Sequence, residues 1–375
     1  MKTEANKTLS EVISYTISGN VTHRVDYKQH FVSEFHRDSG KYIRSNTILN
    51  GKFTDAEPFM ASFPHLIDVG IMGNCLHGRS GLCKKAGIGC YQSGMTKFSE
   101  NMSFSDFSRI ADECSGYTDQ FALGGRGDPD CHEEFEKILS YCAEKKIVPN
   151  YTTSGFAFNE EKARLSGKYC GAVAVSWYRS EYTLRAIRLL LAQGVKTNIH
   201  YVLGQNSIDE AITRLKSDDF PKGINAVIFL LHKPVGQGSE KNVLHCRDKK
   251  LYEFFDAALN KRHMFKIGFD SCTVPGILNY AKNVDLRSVD TCEGGRFSMY
   301  IGSDLIATPC SFDAEKRYGY DLHGHTVYEA WNSALFDRFR EILQTGCPQC
   351  KRRELCLGGC PLRKEIVLCE EKQSS

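Results

Sequence analysis

Long apolar runs are missing from this chain of 375 residues: nowhere do about 18 uncharged apolar residues follow one another, so no membrane-spanning helix is expected. The opening MKTEANKTLS has no apolar stretch of the kind a secretion signal needs, and a soluble, cytoplasmic protein is the expectation. A charge excess is missing as well. Lys and Arg number 48 against 45 Asp and Glu, a net charge of +3, far from the basic balance of a dedicated nucleic-acid binder. Neither nucleic acid nor membrane is therefore an expected partner. There is no internal repeat and no low-complexity tract, and 41% hydrophobic with 25% charged residues excludes a disordered or fibrous chain.

What the sequence does have is cysteine, sixteen of them. In a chain without an export signal they are expected to stay reduced, so disulfides do not explain them. Thiolates grouped by local spacing hold metal.

Residues 1–63 read as a small β-rich lead-in, with turn signals at Asp38-Ser39-Gly40 and Asn50-Gly51. No function is legible in it. After Pro64, short apolar strands alternate with amphipathic helices, the rhythm of a parallel sheet with crossover helices. Strands are expected at Leu66–Met72, Gln120–Leu123, Ile147–Tyr151, Ala172–Trp177, Thr197–Leu203 and Ala226–Leu231. Helices are expected at Phe104–Cys114, His132–Lys145 and Glu181–Gln193, where Leu and Ile recur at helical spacing. Six such units predict an α/β fold built on a partial (β/α)6 TIM-like barrel, with ligand chemistry at the strand C-terminal ends. Beyond about Ser239 the rhythm fails. A loop-rich, cysteine-dense segment then follows, with one helix around Tyr328–Leu343. The expected divisions are 1–63, 64–245 and 246–375.

Three cysteine groups stand out. Cys347-Pro-Gln-Cys350, Cys356-Leu-Gly-Gly-Cys360 and Cys369 place five cysteines within 23 residues. Four of them can hold zinc, or four an iron-sulfur cluster with the fifth serving elsewhere. A split of Cys347, Cys350, Cys356 and Cys369 on one cluster and Cys360 on another uses all five. Upstream, Cys272, Cys292 and Cys310 become a second four-thiolate set once Cys360 joins them. The alternative is three ordinary buried cysteines. The third group, Cys75, Cys83 and Cys90, begins where the first barrel strand ends, and its loop is rich in glycine, with Gly78, Gly81, Gly87 and Gly89 between the cysteines. Three thiolates on a cubane cluster leave one iron open to an outside ligand. His77 offers a competing Cys3His zinc reading, or is a solvated surface histidine.

Taken together these groups resemble the radical S-adenosylmethionine enzymes, in particular those with the cysteine-rich C-terminal extension called SPASM. The block from Cys347 to Cys369 is similar to that extension. Within the barrel, Gly124-Gly125-Arg126-Gly127-Asp128 resembles the family's glycine-rich segment, which receives the methionine amino group of the cofactor. By the same resemblance, Ser154 after the third strand and Ser176 ending the fourth contact cofactor or substrate. Asn198 and His200 on the fifth strand, with Lys233 and Gly236 to Gly238 after the sixth, supply ribose and adenine contacts. Two departures are visible. The family's first three cysteines are separated by three and two residues, whereas here seven and six intervene. Leu305 stands where the family has a glycine ahead of the Cys310 equivalent.

The resemblance implies S-adenosyl-L-methionine and a 4Fe-4S cluster on Cys75, Cys83 and Cys90, with two auxiliary clusters beyond the barrel. It implies a 5'-deoxyadenosyl radical that abstracts hydrogen from a peptide, protein side chain or small molecule, and a low-potential electron donor such as flavodoxin or ferredoxin. In the sulfatase-maturing branch an aspartate base follows the Cys310 equivalent. Ser311 occupies that place here, which counts against sulfatase maturation, and no catalytic side chain is singled out. An iron-sulfur redox carrier without its own substrate and a zinc-ribbon interaction protein are the rival classes. Tyr91 and Trp177 are candidate pocket walls. Cys114, Cys131, Cys142, Cys170 and Cys246 read as buried fillers, Cys131 being the least secure of them.

Overall fold

The computed structural model describes residues 9–47, 53–54, 58–87, 89–281 and 284–373. The lead-in folds as a five-stranded antiparallel sheet, β1 (Ile13–Ser18), β2 (Val21–Asp26), β3 (Phe31–His36), β4 (Lys41–Thr47) and β5 (Phe53–Thr54), in sequential order. Strict alternation of buried and half-buried residues along Val21–Asp26 and Phe31–His36 marks one face turned to the rest of the molecule. The Asn50-Gly51 turn signal lies outside the described residues.

Six parallel strands follow at the expected places: β6 (Leu66–Met72), β7 (Gln120–Gly125), β8 (Val148–Thr153), β9 (Val173–Ser176), β10 (Thr197–Leu203) and β11 (Ala226–Leu231). Each pairs in parallel with its predecessor. The helices between them start on side-chain caps. Ser103 Oγ accepts from the Asp106 amide, Asn159 from Lys162 and Ser180 from Thr183, satisfying amides that helix starts leave open. The helix Phe104–Cys114 then buries Phe107, Ile110, Ala111 and Cys114, the stripe expected at a 3.6-residue period.

The rhythm that the sequence seems to lose at Ser239 runs one unit further. The helix Lys250–Leu259 leads into a seventh parallel strand, β12 (Lys266–Phe269), paired with β11. Its four residues are too short, and too polar at Lys266, to stand out by pattern. On the other side of β6 lies β13 (Ser298–Ile301), also parallel, followed by antiparallel β14 (Ile306–Thr308) and β15 (Tyr320–Asp321). The ten-stranded sheet begins at β12 and ends at β15 without closing, a partial barrel. The single C-terminal helix of the sequence reading is two, Val327–Trp331 and Ala334–Thr345, because Ser333 starts a new cap on the Phe336 amide. One apolar core runs from Leu9 and Ile13 through the barrel to Ile366 and Leu368. Among the described residues no helix is long and apolar enough to cross a membrane.

Candidate functional site

Cys75 lies three residues past the end of β6, at the C-terminal mouth of the barrel. Its Sγ accepts the Gly78 amide at 3.1 Å and so caps the short helix Leu76–Arg79. Cys83 belongs to a second short helix, Leu82–Lys85, and its thiol reaches the His77 carbonyl at 3.6 Å. Cys90 Sγ accepts the Gly94 amide at 3.4 Å. The two short helices take up most of the first gap, and the three cysteines line one cavity of about 320 Å³.

That cavity is also lined by Gly124 and Gly125 at the end of β7, Asp128 after it, Thr152 of β8, Ser176 of β9 and His200 of β10. Asp128 is held from behind: the Ser154 amide and hydroxyl donate to its carboxylate at 2.8 and 2.5 Å. Burial, then Asp130, pushes the Asp128 carboxyl up to about 7. An adjoining cavity of about 330 Å³ shares Ser176, Tyr178 and His200 and adds Trp177, Arg179 and Glu210. Burial drives His200 down to about 4, so its ring is neutral at pH 7. Tyr91 lines the first cavity, against Phe312 at 4.6 Å between ring centroids.

Several expectations are corrected by this placement. Asn198 is the second residue of β10, so it sits at the N-terminal end of the barrel, where it accepts from Asn225 Nδ2 at 2.8 Å and lines a separate cavity with Gln120 and Asn150. Lys233 turns away from the mouth. Its ammonium donates to Asp270 at 2.6 Å and to the Leu231 carbonyl at 2.9 Å, on the wall of the upstream cysteine cavity. Gly236 packs against the cysteine loop itself. A Cβ there, at φ +63°, would meet the Tyr91 carbonyl at 2.3 Å. His77 is buried, not a surface histidine. It shares a 2.8 Å hydrogen bond with Tyr182 inside a box of Phe156, Tyr178 and Tyr182, and burial lowers it to about 4.

Cys272, Cys292 and Cys310 line a second cavity, of about 460 Å³. A hydrogen bond with Cys360, and then burial, raise the Cys272 thiol well above its ordinary value. Cys292 is pushed up to about 12 by burial and the neighbouring Cys272, and Cys310 rises through burial, Cys292 and Cys272. In the C-terminal segment Cys356 is raised by burial, with Cys369 and Cys347 adding to it, while the Cys350 amide donates to the Cys347 carbonyl. Two residues, Asp68 and Ser311, are walls of both the mouth cavity and the upstream cavity. Sequence reading passed over Asp68, although a carboxylate inside the apolar strand Leu-Ile-Asp-Val-Gly-Ile-Met was the available signal.

Buried thiols with raised pKa values gain nothing from one another unless cations draw off their protons. Among the described residues the group of three ligand atoms mutually within 4.8 Å is Asp128, Asp130 and Cys131. The thiol sets are therefore wider than the roughly 3.8 Å sulfur separation of a tetrahedral zinc with its ~2.3 Å bonds. At the mouth Gly94 packs closely on Cys75, where a Cβ would meet Cys75 Cβ at 3.0 Å and Sγ at 3.6 Å. Cys131 is half-buried beside Lys162, whose ammonium reaches Asp130 at 3.0 Å and the Cys131 sulfur at 3.9 Å, so that acidic group already has its cation. Cys114, Cys142 and Cys246 are buried and Cys170 half-buried.

The fold is shared with solved structures of S-adenosylmethionine-binding proteins. Streptococcus suis SuiB bound to its precursor peptide SuiA superposes with a TM-score of 0.68 at 13% identity, over 95% of this chain and 100% of that one. SuiB bound to S-adenosylmethionine gives 0.66 at 14% identity, over 92% of this chain and 95% of that one. Native anSMEcpe with bound AdoMet and the Cp18Cys peptide gives 0.55 at 17% identity, over 82% and 91%. No protein-family model matches the sequence, and no curated protein matches it.

Proposed function

We propose that this chain is a radical S-adenosylmethionine enzyme acting on a peptide or protein side chain. The observation that carries the proposal is the single mouth cavity walled by Cys75, Cys83 and Cys90 on one side and by Gly124, Gly125 and Asp128 on the other. In this reading residues 64–245 form the cofactor barrel and 246–375 hold two auxiliary clusters. Cys272, Cys292, Cys310 and Cys360 would ligate one, and Cys347, Cys350, Cys356 and Cys369 the other. When bound, a reduced four-iron cluster and S-adenosylmethionine supply the electron and the cleavable sulfonium from which a hydrogen-abstracting 5'-deoxyadenosyl radical arises.

The chain's own residues do the rest. Exposed main chain at Gly124 and Gly125, together with the Asp128 carboxylate that Ser154 orients, offers acceptors for an ammonium group. Ser176, His200 and the adjoining cavity leave room for the nucleoside end. Buried His77, ringed by the half-buried Phe156, Tyr178 and Tyr182, would help keep water from the mouth cavity that it lines, which a carbon radical requires. Peptide as substrate class is supported by the two similar structures that carry one, SuiB with SuiA and anSMEcpe with Cp18Cys.

Anaerobic reconstitution should give a brown protein with about twelve irons, four per cluster, that forms 5'-deoxyadenosine under a low-potential reductant. Cys75→Ala, Cys83→Ala and Cys90→Ala should each abolish cleavage and keep about eight irons. Cleavage surviving in all three variants overturns the reading.

A further inference from the structure

The lumen of a parallel barrel is ordinarily filled by branched side chains. At the N-terminal end of this one it is not. Alternate residues of a strand share a face, and the lumen positions here include Gln120 and Ala122 on β7, Asn150 on β8, Ala174 on β9 and Asn198 on β10, small or carboxamide side chains where branched ones would fill the space. They leave a cavity of about 340 Å³, within the range of small-molecule sites. The turn between β3 and β4 adds Arg37 to its wall, and Lys196, one residue ahead of β10, adds a second cation. Thr152 and His200, hydrogen-bonded at 3.2 Å, wall both this cavity and the mouth cavity and so form a layer between them.

The chemistry of this cavity is one-sided. Among the described residues no Asp or Glu lines it. Neither Arg37 nor Lys196 has an ion-pair partner among those residues, and Arg37 Nη1 is buried without a hydrogen-bond partner. The field of Arg37 reaches Asp119, but that carboxylate lies outside the cavity and is held by Arg24 at 3.0 Å and by Tyr15 at 3.3 Å. The carboxamides are committed in one direction. Asn150 Oδ1 accepts the Ala172 amide at 2.8 Å, so its Nδ2 is the group that meets Gln120 Oε1 at 3.0 Å, and Gln120 Nε2 is left as a spare donor. Asn198 Oδ1 accepts from Asn225 Nδ2 at 2.8 Å, which leaves Asn198 Nδ2 as a second. Asn225 Oδ1 is left as an acceptor, which a ligand hydroxyl would satisfy. Water serves donors and acceptors alike. Two cations and two spare amide donors with no acid beside them select a ligand rich in acceptors and negatively charged.

We propose that Arg37, Gln120, Lys196 and Asn198 form a binding site for a small hydroxylated organic dianion, a phosphate monoester or a dicarboxylate, at the N-terminal end of the barrel. Among the described residues no cysteine lines the cavity, so the inference stands apart from the radical reading. No bond is made or broken there.

Isothermal titration of the reconstituted full-length protein with glycerol 3-phosphate and with malate reads the two head groups separately, and glycerol is the uncharged control. At least one of the two anions should bind and glycerol should not. Arg37→Met and Lys196→Met should each weaken anion binding about tenfold or more, the worth of one hydrogen bond to a charged group. Gln120→Glu keeps the acceptor that Asn150 uses and turns the spare donor into a like charge, so it should abolish binding, and it decides the matter where circular dichroism shows that a Met variant has not folded. Arg262→Met, which removes an exposed cation from the loop entering β12 at the same end of the barrel, should leave the affinity unchanged. Cys75→Ala should bind the anion as wild type does, whatever becomes of its clusters. Failure of both anions to bind at millimolar concentration overturns the inference. So does binding that survives Gln120→Glu and both Met variants, and so does binding lost in Cys75→Ala, which would place the anion at the mouth.

Discussion

Asp68 is the residue whose surroundings are hardest to explain by packing. It lies in the first parallel strand between Ile67 and Val69, both fully buried, and its carboxylate faces two cavities. Burial, then Glu293, raises it to about 7. Its folded pKa lies above the unfolded value, so the native state keeps a proton that the unfolded chain has already released. Stability is full at low pH and is lost as pH rises from about 4 through about 7. Asp68→Asn cannot titrate. Its urea midpoint should gain on wild type between about pH 5 and pH 8, by the order of 1 to 2 kcal/mol, since one unit is worth ~1.36 kcal/mol and cavity water screens part of it. A difference that does not change with pH would show that the carboxylate stays ionised. Lys233 and Asp270 make a second residue-scale prediction. Asp270 also accepts from Thr273 Oγ1 at 2.7 Å and from the Leu231 amide at 3.1 Å, so the pair fixes the turn that carries Cys272. Lys233→Met should leave the half-buried Asp270 carboxylate without its cation, costing about 1 to 3 kcal/mol, and metal analysis should find about eight irons in place of twelve. Full iron loading in that variant would refute a positioning role for the ion pair.

Among the elements, the segment that follows β11 acts as a clamp. The Gln237 amide donates to the Cys90 carbonyl at 2.9 Å, and Gly236 approaches the Tyr91 carbonyl too closely for any side chain. Gly236→Val should push this segment off the cysteine loop, so that the variant loses the irons of the mouth centre and keeps those of the C-terminal sets. Electron paramagnetic resonance of the reduced protein would distinguish that outcome from general unfolding. These elements also show where sequence reading succeeds. The six strands and the helix Phe104–Cys114 were legible because buried parallel strands and amphipathic helices write their periods directly into Val, Ile and Leu positions. Cys75, Cys83 and Cys90, which share one cavity, stood out in the sequence because thiols grouped in a glycine-rich loop have few other uses. Side-chain direction did not. Asn198 lies within one strand correctly identified and Lys233 follows another, but the direction of the Lys233 side chain depends on Asp270, which is 37 residues away in the chain. Asp68 was passed over because one polar residue does not disturb a strand pattern, although it marks the wall between two cavities. The strand β12 escaped notice because four residues carry too little pattern.

At the scale of the whole molecule, the N-terminal sheet is bound to the barrel through a buried ion pair. Arg24 of β2 meets Asp119, just ahead of β7, at 3.0 Å, with the two side chains only 2% and 1% exposed. The same guanidinium donates to the Tyr117 carbonyl at 2.7 Å, and Tyr15 donates to Asp119 at 3.3 Å. From β4, Arg44 reaches Asp290 at 3.1 Å and Glu293 at 2.9 Å, beside Cys292, so the sheet touches the upstream cysteine segment as well as the barrel. Desolvation of two charges offsets much of their attraction, and such a pair is costly to break from one side only. Arg24→Met should therefore destabilise the protein by about 3 to 5 kcal/mol, whereas Arg24→Met combined with Asp119→Leu should recover most of that loss. The pH dependence has a definite sign. Burial already raises Asp119 despite Arg24, and removing the cation raises it further, so the native single variant binds a proton that its unfolded chain does not. Its deficit should shrink as pH falls toward about 5, where a neutral Asp119 no longer needs a partner. Urea titrations of wild type and both variants across that range test this. A deficit that grows on acidification would mean that Asp119 keeps its charge by other contacts, and that the sheet is not held to the barrel by this pair.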